Sequence, residues 1–166
     1  MSTLSLNHSH AAAEGGIQRA IHAILATDRS IIQTLLRVAL GVVMLPHGLQ
    51  KTIGWFGGYG FEGTMGFMTG TGIPAILAFL AIAAESAGAA ALIAGVTTRI
   101  AAFGVGVVMV VATFMHRANG FFMNWSGQQK GEGFEYHILA IAIAVAILIG
   151  GAGRWSIDRL LTKRTH

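Results

Sequence analysis

Four runs of apolar residues dominate this chain, each close to the roughly 20 residues a helix needs to cross a bilayer. They extend from about Ile31 to Leu49, Pro74 to Val96, Thr98 to Met115 and Tyr136 to Ala152. Composition leaves little alternative to lipid as the solvent for them. Hydrophobic residues make up 54% of the 166-residue chain and charged residues 11%, and the mean hydropathy is +0.64. A soluble domain of this length keeps much of its surface in water and cannot hide that much apolar area in one core. The expected fold is all-α: a polytopic membrane protein built as an antiparallel bundle of four transmembrane helices.

Punctuation supports these limits. Pro74, after Gly70-Thr71-Gly72, suits the first turn of a helix. Gly95 to Thr98 leaves room only for a tight reversal, and Gly150, Gly151 and Gly153 close the fourth run. Two connections are longer, Thr52 to Ile73 and His116 to Phe134, and both are rich in glycine and aromatic residues. Residues 1–30 lack the continuous apolar stretch and early basic flank of a cleaved signal. Within them Ile17, Ala20, Ile21, Ile24 and Leu25 fall at helical spacing, predicting a short amphipathic helix in the headgroup region. The expected organisation is thus a cytoplasmic N-terminal segment over 1–29, a membrane domain over 30–158 and a basic cytoplasmic tail over 159–166.

The basic residues set a direction. With both termini inside, the cytoplasmic side holds Arg19, Arg29, Arg99, Arg154, Arg159, Lys163 and Arg164, and the other side only Lys51, Arg117 and Lys130. A net charge of +4 does not imply nucleic acid, because the cations sit at the ends of apolar runs rather than in a patch interleaved with aromatics. The chain has no cysteine, which excludes thiolate catalysis, iron–sulfur ligation and covalent haem attachment through it. Small residues at Ala81, Ala84, Ser86, Gly88, Ala91 and Gly95, and at Gly104 and Gly106, suit close helix packing.

Ionisable residues at membrane depth are expensive and draw attention first. Glu85 lies near the middle of the second run and Arg37 lies inside the first. At the helical rise they stand roughly 15 Å and roughly 9 Å from the inner ends of their helices. An arginine side chain covers that difference, so a buried Arg37–Glu85 ion pair is expected. It serves either to lock two helices together or to flank a cavity with Glu85 as a protonatable group. A second set gathers at the outer face: His47 and Lys51, four apart on one helix face, then His116, Glu135 and His137 at the ends of the third and fourth runs. Histidine titrates near neutrality and suits proton transfer there. No ligand spacing such as HxxxH points to a metal. Trp55, Phe56, Tyr59, Phe61, Phe121, Phe122 and Trp125 crowd the outer loops, as interfacial anchors or as stacking surfaces for a planar ligand such as a quinone.

The chain also resembles a known family. Leu36-Arg37-Val38-Ala39-Leu40-Gly41 followed by His47-Gly48-Leu49-Gln50-Lys51, Glu85 with Gly88, Thr98-Arg99, Gly133-Phe134-Glu135-Tyr136 and Gly153-Arg154-Trp155-Ser156-Ile157-Asp158 are similar to the DoxX family of bacterial membrane proteins. The resemblance covers about residues 30–160. It implies a four-helix protein of the inner membrane, with relatives tied to a thiosulfate:quinone oxidoreductase and to membrane redox-defence complexes.

Three functions follow as expectations. In a quinone-linked redox protein or complex subunit, Glu85, His47 and Arg37 carry the chemistry, and His47, Lys51, Glu85, His116 and Glu135 hold the quinone, with electrons from a membrane or soluble redox partner. The alternative is a non-catalytic anchor or assembly subunit whose basic tail meets lipid or a partner. The third is a small proton-coupled carrier, which with so few helices needs a homo-oligomer.

Overall fold

The computed structural model describes residues 16, 19, 23–27 and 29–163. The expected N-terminal amphipathic helix rests on Ile17, Ala20 and Ile21, which lie outside the described residues, as do Arg164 and His166. The described residues are helical, with no strand among them.

Helix α1 (Ile31–Thr52) starts on Ser30, whose hydroxyl accepts from the amides of Ile32 and Gln33. It runs through Pro46 and ends one turn beyond the apolar run, so that His47 and Lys51 both belong to it. After a 3₁₀ turn at Trp55–Gly57 comes α2 (Gly60–Gly70), inside a segment whose glycine content reads as loop. α3 (Ala75–Ala94) is a single span of 20 residues, interrupted by a π turn over Ala84–Gly88 that contains Glu85. α4 (Thr98–His116) follows, then a long connection, α5 (Glu135–Gly150) and a short α6 (Ile157–Lys163) where the basic tail was expected.

α1, α3 and α4 are long and apolar enough to cross a membrane, and only 33%, 28% and 28% of those spans is buried within the chain. Much of the rest is apolar surface facing outward, including Leu35, Ile76, Leu80 and Phe103. α5 is a shorter apolar helix of 16 residues, about 24 Å long against a hydrocarbon core of about 30 Å.

These four helices pack as antiparallel neighbours: α1 on α3 and α5, and α4 on α3 and α5. The shared core is made of Leu40, Met44, Ala89, Leu92, Ala102, Val105, Ala140, Ala144 and Ile147. Small side chains in it keep the backbones close, which is how helices associate where lipid removes the hydrophobic driving force between them. At Gly48, where α1 meets α3, a Cβ would stand 2.3 Å from the carbonyl oxygen of Glu85. The packing gives the molecule a terminal end, where α3 meets α4 and α5 meets α6, and a loop end, where both long connections lie.

Candidate functional site

The two ends hold different polar structures. At the terminal end Arg37 is almost fully buried, with 2% of its surface exposed. Its Nε donates to the carbonyl of Ala152 at 2.6 Å, its Nη1 to those of Leu92 and Ile93 at 2.7 and 2.6 Å, and its Nη2 to that of Trp155. These are carbonyls at or just beyond the C-terminal ends of α3 and α5, which have no amide left within their own helix. Asp158, 1% exposed, does the complementary work: its two oxygens accept from the amides of Thr97 and Thr98, at 2.7 and 2.9 Å, and so cap α4. Its amide donates to Gly95, and its charge acts on Arg37. Gly95 has φ +70°, and a Cβ there would lie 2.9 Å from the guanidinium carbon of Arg37. The reversal therefore needs glycine for both backbone and space.

This overturns the expected Arg37–Glu85 pair. Arg37 is committed to four carbonyls about 10 Å along α3 from Glu85, and Glu85 pairs with another cation. That cation is Lys51, whose ammonium reaches down from the end of α1 to Oε2 of Glu85. Glu85 is 5% exposed and sits inside the π turn. Such bulges re-aim side chains within a helix and recur at functional sites. Gly48 makes the arrangement possible by letting α1 lie directly on the backbone of Glu85 and Ser86.

A line of polar groups continues from this pair toward the loop end. Tyr136 lies within electrostatic reach of Glu85, and its hydroxyl donates to the sulfur of Met44 at 3.5 Å. Tyr136 meets the ring of His137 edge-on at 5.7 Å, and His137 stacks on His116 at 5.0 Å between centroids. Nδ1 of His116 bonds the carbonyl of Ala112 at 2.9 Å. His137 is 8% exposed, and its Nδ1 is a buried atom without a partner. A buried polar atom left unsatisfied costs about 1–3 kcal/mol, and Gln33 Oε1, Thr98 Oγ1 and Arg99 Nε toward the terminal end share that state.

The other expected site residues stand apart. His47 is exposed on α1, within electrostatic reach of His137. Glu135, the first residue of α5, braces the long connection: its Oε1 accepts from the amide of Met123 and the indole of Trp125 at 2.9 and 3.2 Å. Glu132 does the same for the amide of Asn124. Together they fold the loop of 117–134 onto the start of α5. Among the described residues no three His, Asp or Glu side chains converge as metal ligands would.

Of the expected residues, Lys51 pairs with Glu85 and His116 stacks on His137, two groups related only through the charge of Glu85 on Tyr136, and Arg37 belongs to neither. Tyr136, not expected as a site residue, meets the ring of His137, which was expected at the outer face. The sequence carries a signal for His137, since it shares one helical face with the buried Ala140, Ala144 and Ile147.

The family model for DoxX matches residues 32–118, a stretch that spans α1 to α4 and includes Arg37, Lys51 and Glu85. The chain belongs to the DoxX family. Among curated proteins it is 30% identical over 128 residues to the "Inner membrane protein YqjF" of Escherichia coli (strain K12), covering 76% of this chain and 93% of that one. It is 28% identical over 113 residues to the "Putative oxidoreductase CatD" of Bacillus subtilis (strain 168), covering 68% of this chain and 75% of the other. No solved structure matches the chain. The residues of this DoxX protein that the family match spans therefore include both the terminal-end arginine and the loop-end ion pair, which do unrelated work.

Proposed function

We propose that this DoxX protein is a quinone-linked redox protein of the inner membrane, or the quinone-binding subunit of a membrane redox complex, and that the loop-end cluster is where quinone binds. In this reading α1, α3, α4 and α5 all cross the bilayer as a four-helix bundle. Both termini are cytoplasmic, in line with the distribution of Arg and Lys, and the shorter α5 is accommodated between α1 and α4. Similarity to an inner membrane protein and to a protein described as an oxidoreductase points the same way.

The observation that carries the reading is the Lys51–Glu85 pair, whose carboxylate is buried within the π turn of α3. A quinone would be the substrate, taking up electrons and protons. The residues present fit its carbonyl oxygens: the Lys51 ammonium, the Tyr136 hydroxyl and His137 are hydrogen-bond donors in an otherwise apolar surround. Glu85 can hold a proton or release it to Lys51, and the stacked His137 and His116 lead from the buried pair to the loop-end surface. Electrons come from a partner or directly from a reduced substrate outside the chain.

The test is extraction and chromatography of quinone from protein purified out of native membranes. Quinone at near-stoichiometric level, lost in Glu85→Gln and in His137→Phe with the fold retained, is the expected result. Quinone-free protein without quinone-dependent activity, carrying a stoichiometric soluble oxidoreductase, would replace this reading with that of a membrane anchor.

A further inference from the structure

The terminal end carries a second surface that the loop-end cluster does not explain. A groove of about 600 Å³ opens there between the end of α3 and the start of α6, lined by Ala94, Trp155, Ile157 and Leu160, with Arg154 and Arg159 on it. Its frame is rigid. Arg37 holds the carbonyls of Ala152 and Trp155, and Asp158 fastens the first turn of α6 to Gly95, Thr97 and Thr98. α6 is thereby fixed at the level where the apolar spans end.

At that level the groove joins two chemistries. Trp155, Ile157, Leu160 and Leu161 are exposed apolar side chains on a segment too short to span anything. The exposed side of α3 leading into the groove carries Ala87, Ala90 and Ala94, a strip with no long side chain to block an alkyl chain. The cations are placed beside it. The guanidinium of Arg154 lies 5.4 Å over the Trp155 ring, and Nη1 of Arg159 donates to the carbonyl of Arg154 at 3.0 Å, which holds both arginines on one rim.

We infer that this groove seats one anionic phospholipid, its phosphate between Arg154 and Arg159 and one acyl chain along the alanine strip of α3. The chemistry is complementary at both ends of such a ligand. Basic pockets beside transmembrane helices recognise anionic headgroups, and an interfacial tryptophan suits the headgroup boundary. A zwitterionic lipid fills the same apolar strip but leaves the two cations with no net negative partner. The inference is independent of what binds at Glu85.

The test is native mass spectrometry of the delipidated full chain. Phosphatidylglycerol and phosphatidylcholine of the same acyl composition are added separately, and inorganic phosphate forms a third arm. We expect one phosphatidylglycerol to be retained in preference to phosphatidylcholine. Each arginine contributes about fivefold in affinity, so Arg154→Gln with Arg159→Gln weakens binding by about 25-fold. Arg154→Gln alone, which spares the Arg159 hydrogen bond, weakens it by about fivefold. Leu160→Glu, which charges the groove and leaves both arginines, abolishes the preference. Arg117→Gln at the other end changes nothing. The inference is overturned if the two lipids bind equally, if the double variant keeps the preference, if inorganic phosphate competes as well as the lipid, or if a protein partner occupies the groove stoichiometrically in its place.

Discussion

The terminal end buries Arg37 and Asp158, the loop end buries Glu85 and His137, and the two ends resolve the burial differently. Arg37 is surrounded by backbone: four carbonyls at two helix ends take up its donors. Asp158 mirrors it with two backbone amides. Each of those bonds serves a helix end, and beside them the Thr98 hydroxyl is buried without a partner. Glu85 instead meets a side chain on a long flexible stem, in a bulged turn. A carboxylate paired with a lysine can change partner or protonation state without unravelling a helix. The buried Arg37 and Asp158 of this small membrane protein thus bond backbone, and the buried Glu85 bonds a side chain.

Variants can break this contrast. The largest effect is expected for Arg37→Met, which strands the carbonyls of Leu92, Ile93, Ala152 and Trp155. At about 1–3 kcal/mol for each unsatisfied buried group, the loss exceeds what a small protein can bear. Failure to obtain monodisperse protein, with no rescue by Glu85→Leu, is the expected outcome. Rescue would mean that the two residues communicate after all.

Lys51→Met should come next. It leaves Glu85 buried without its cation, a change worth about 3–5 kcal/mol, read as the shift in denaturation midpoint in detergent. Here the second change Glu85→Leu should recover most of the stability, the opposite of the Arg37 result. A smaller loss, about 1–3 kcal/mol, is expected for Gly48→Ala, because the added methyl meets the carbonyl of Glu85. The altered Lys51–Glu85 geometry should also weaken quinone binding. Smaller still is Asp158→Asn, which can satisfy only one of the two amides of α4 and should cost about 1 kcal/mol, visible as faster hydrogen exchange at Thr97 and Thr98. Glu135→Ala should be nearly silent in global stability and appear as faster exchange at Met123 and in the indole of Trp125.

Much of the architecture was legible in the sequence because it is written in long apolar runs and in glycines at reversals. The four helices fall on the expected segments, and Gly95 to Thr98 is the tight reversal expected. α2 was not legible. Gly60, Gly63, Gly66 and Gly70 lower its intrinsic helicity, and it forms through packing, with Thr64 buried and Phe61 edge-on to Phe79. The partner of Glu85 was missed for a physical reason. Helical rise alone favours Arg37, roughly 6 Å from the level of Glu85 against roughly 15 Å for Lys51, whereas the packing sets Gly48 against the backbone of Glu85 and backbone carbonyls claim Arg37. Carbonyls occur at every position and so leave no signature. The same holds for Asp158, whose amide partners lie about 60 residues away along the chain. Lys51 and His116 were legible as outer-end groups, whereas Tyr136 becomes a neighbour of Glu85 only once α5 is rotated into the packing.

Titration of a short-tailed benzoquinone into protein reconstituted in lipid nanodiscs, comparing the unaltered chain with Glu85→Gln, tests most directly whether the loop end is the chemical end. We expect saturable binding at one site, at least about tenfold weaker in Glu85→Gln, as loss of a bond to a charged group entails, with Arg154→Gln binding like the unaltered chain. No saturable binding by the unaltered chain, or equal binding by Glu85→Gln, would contradict it.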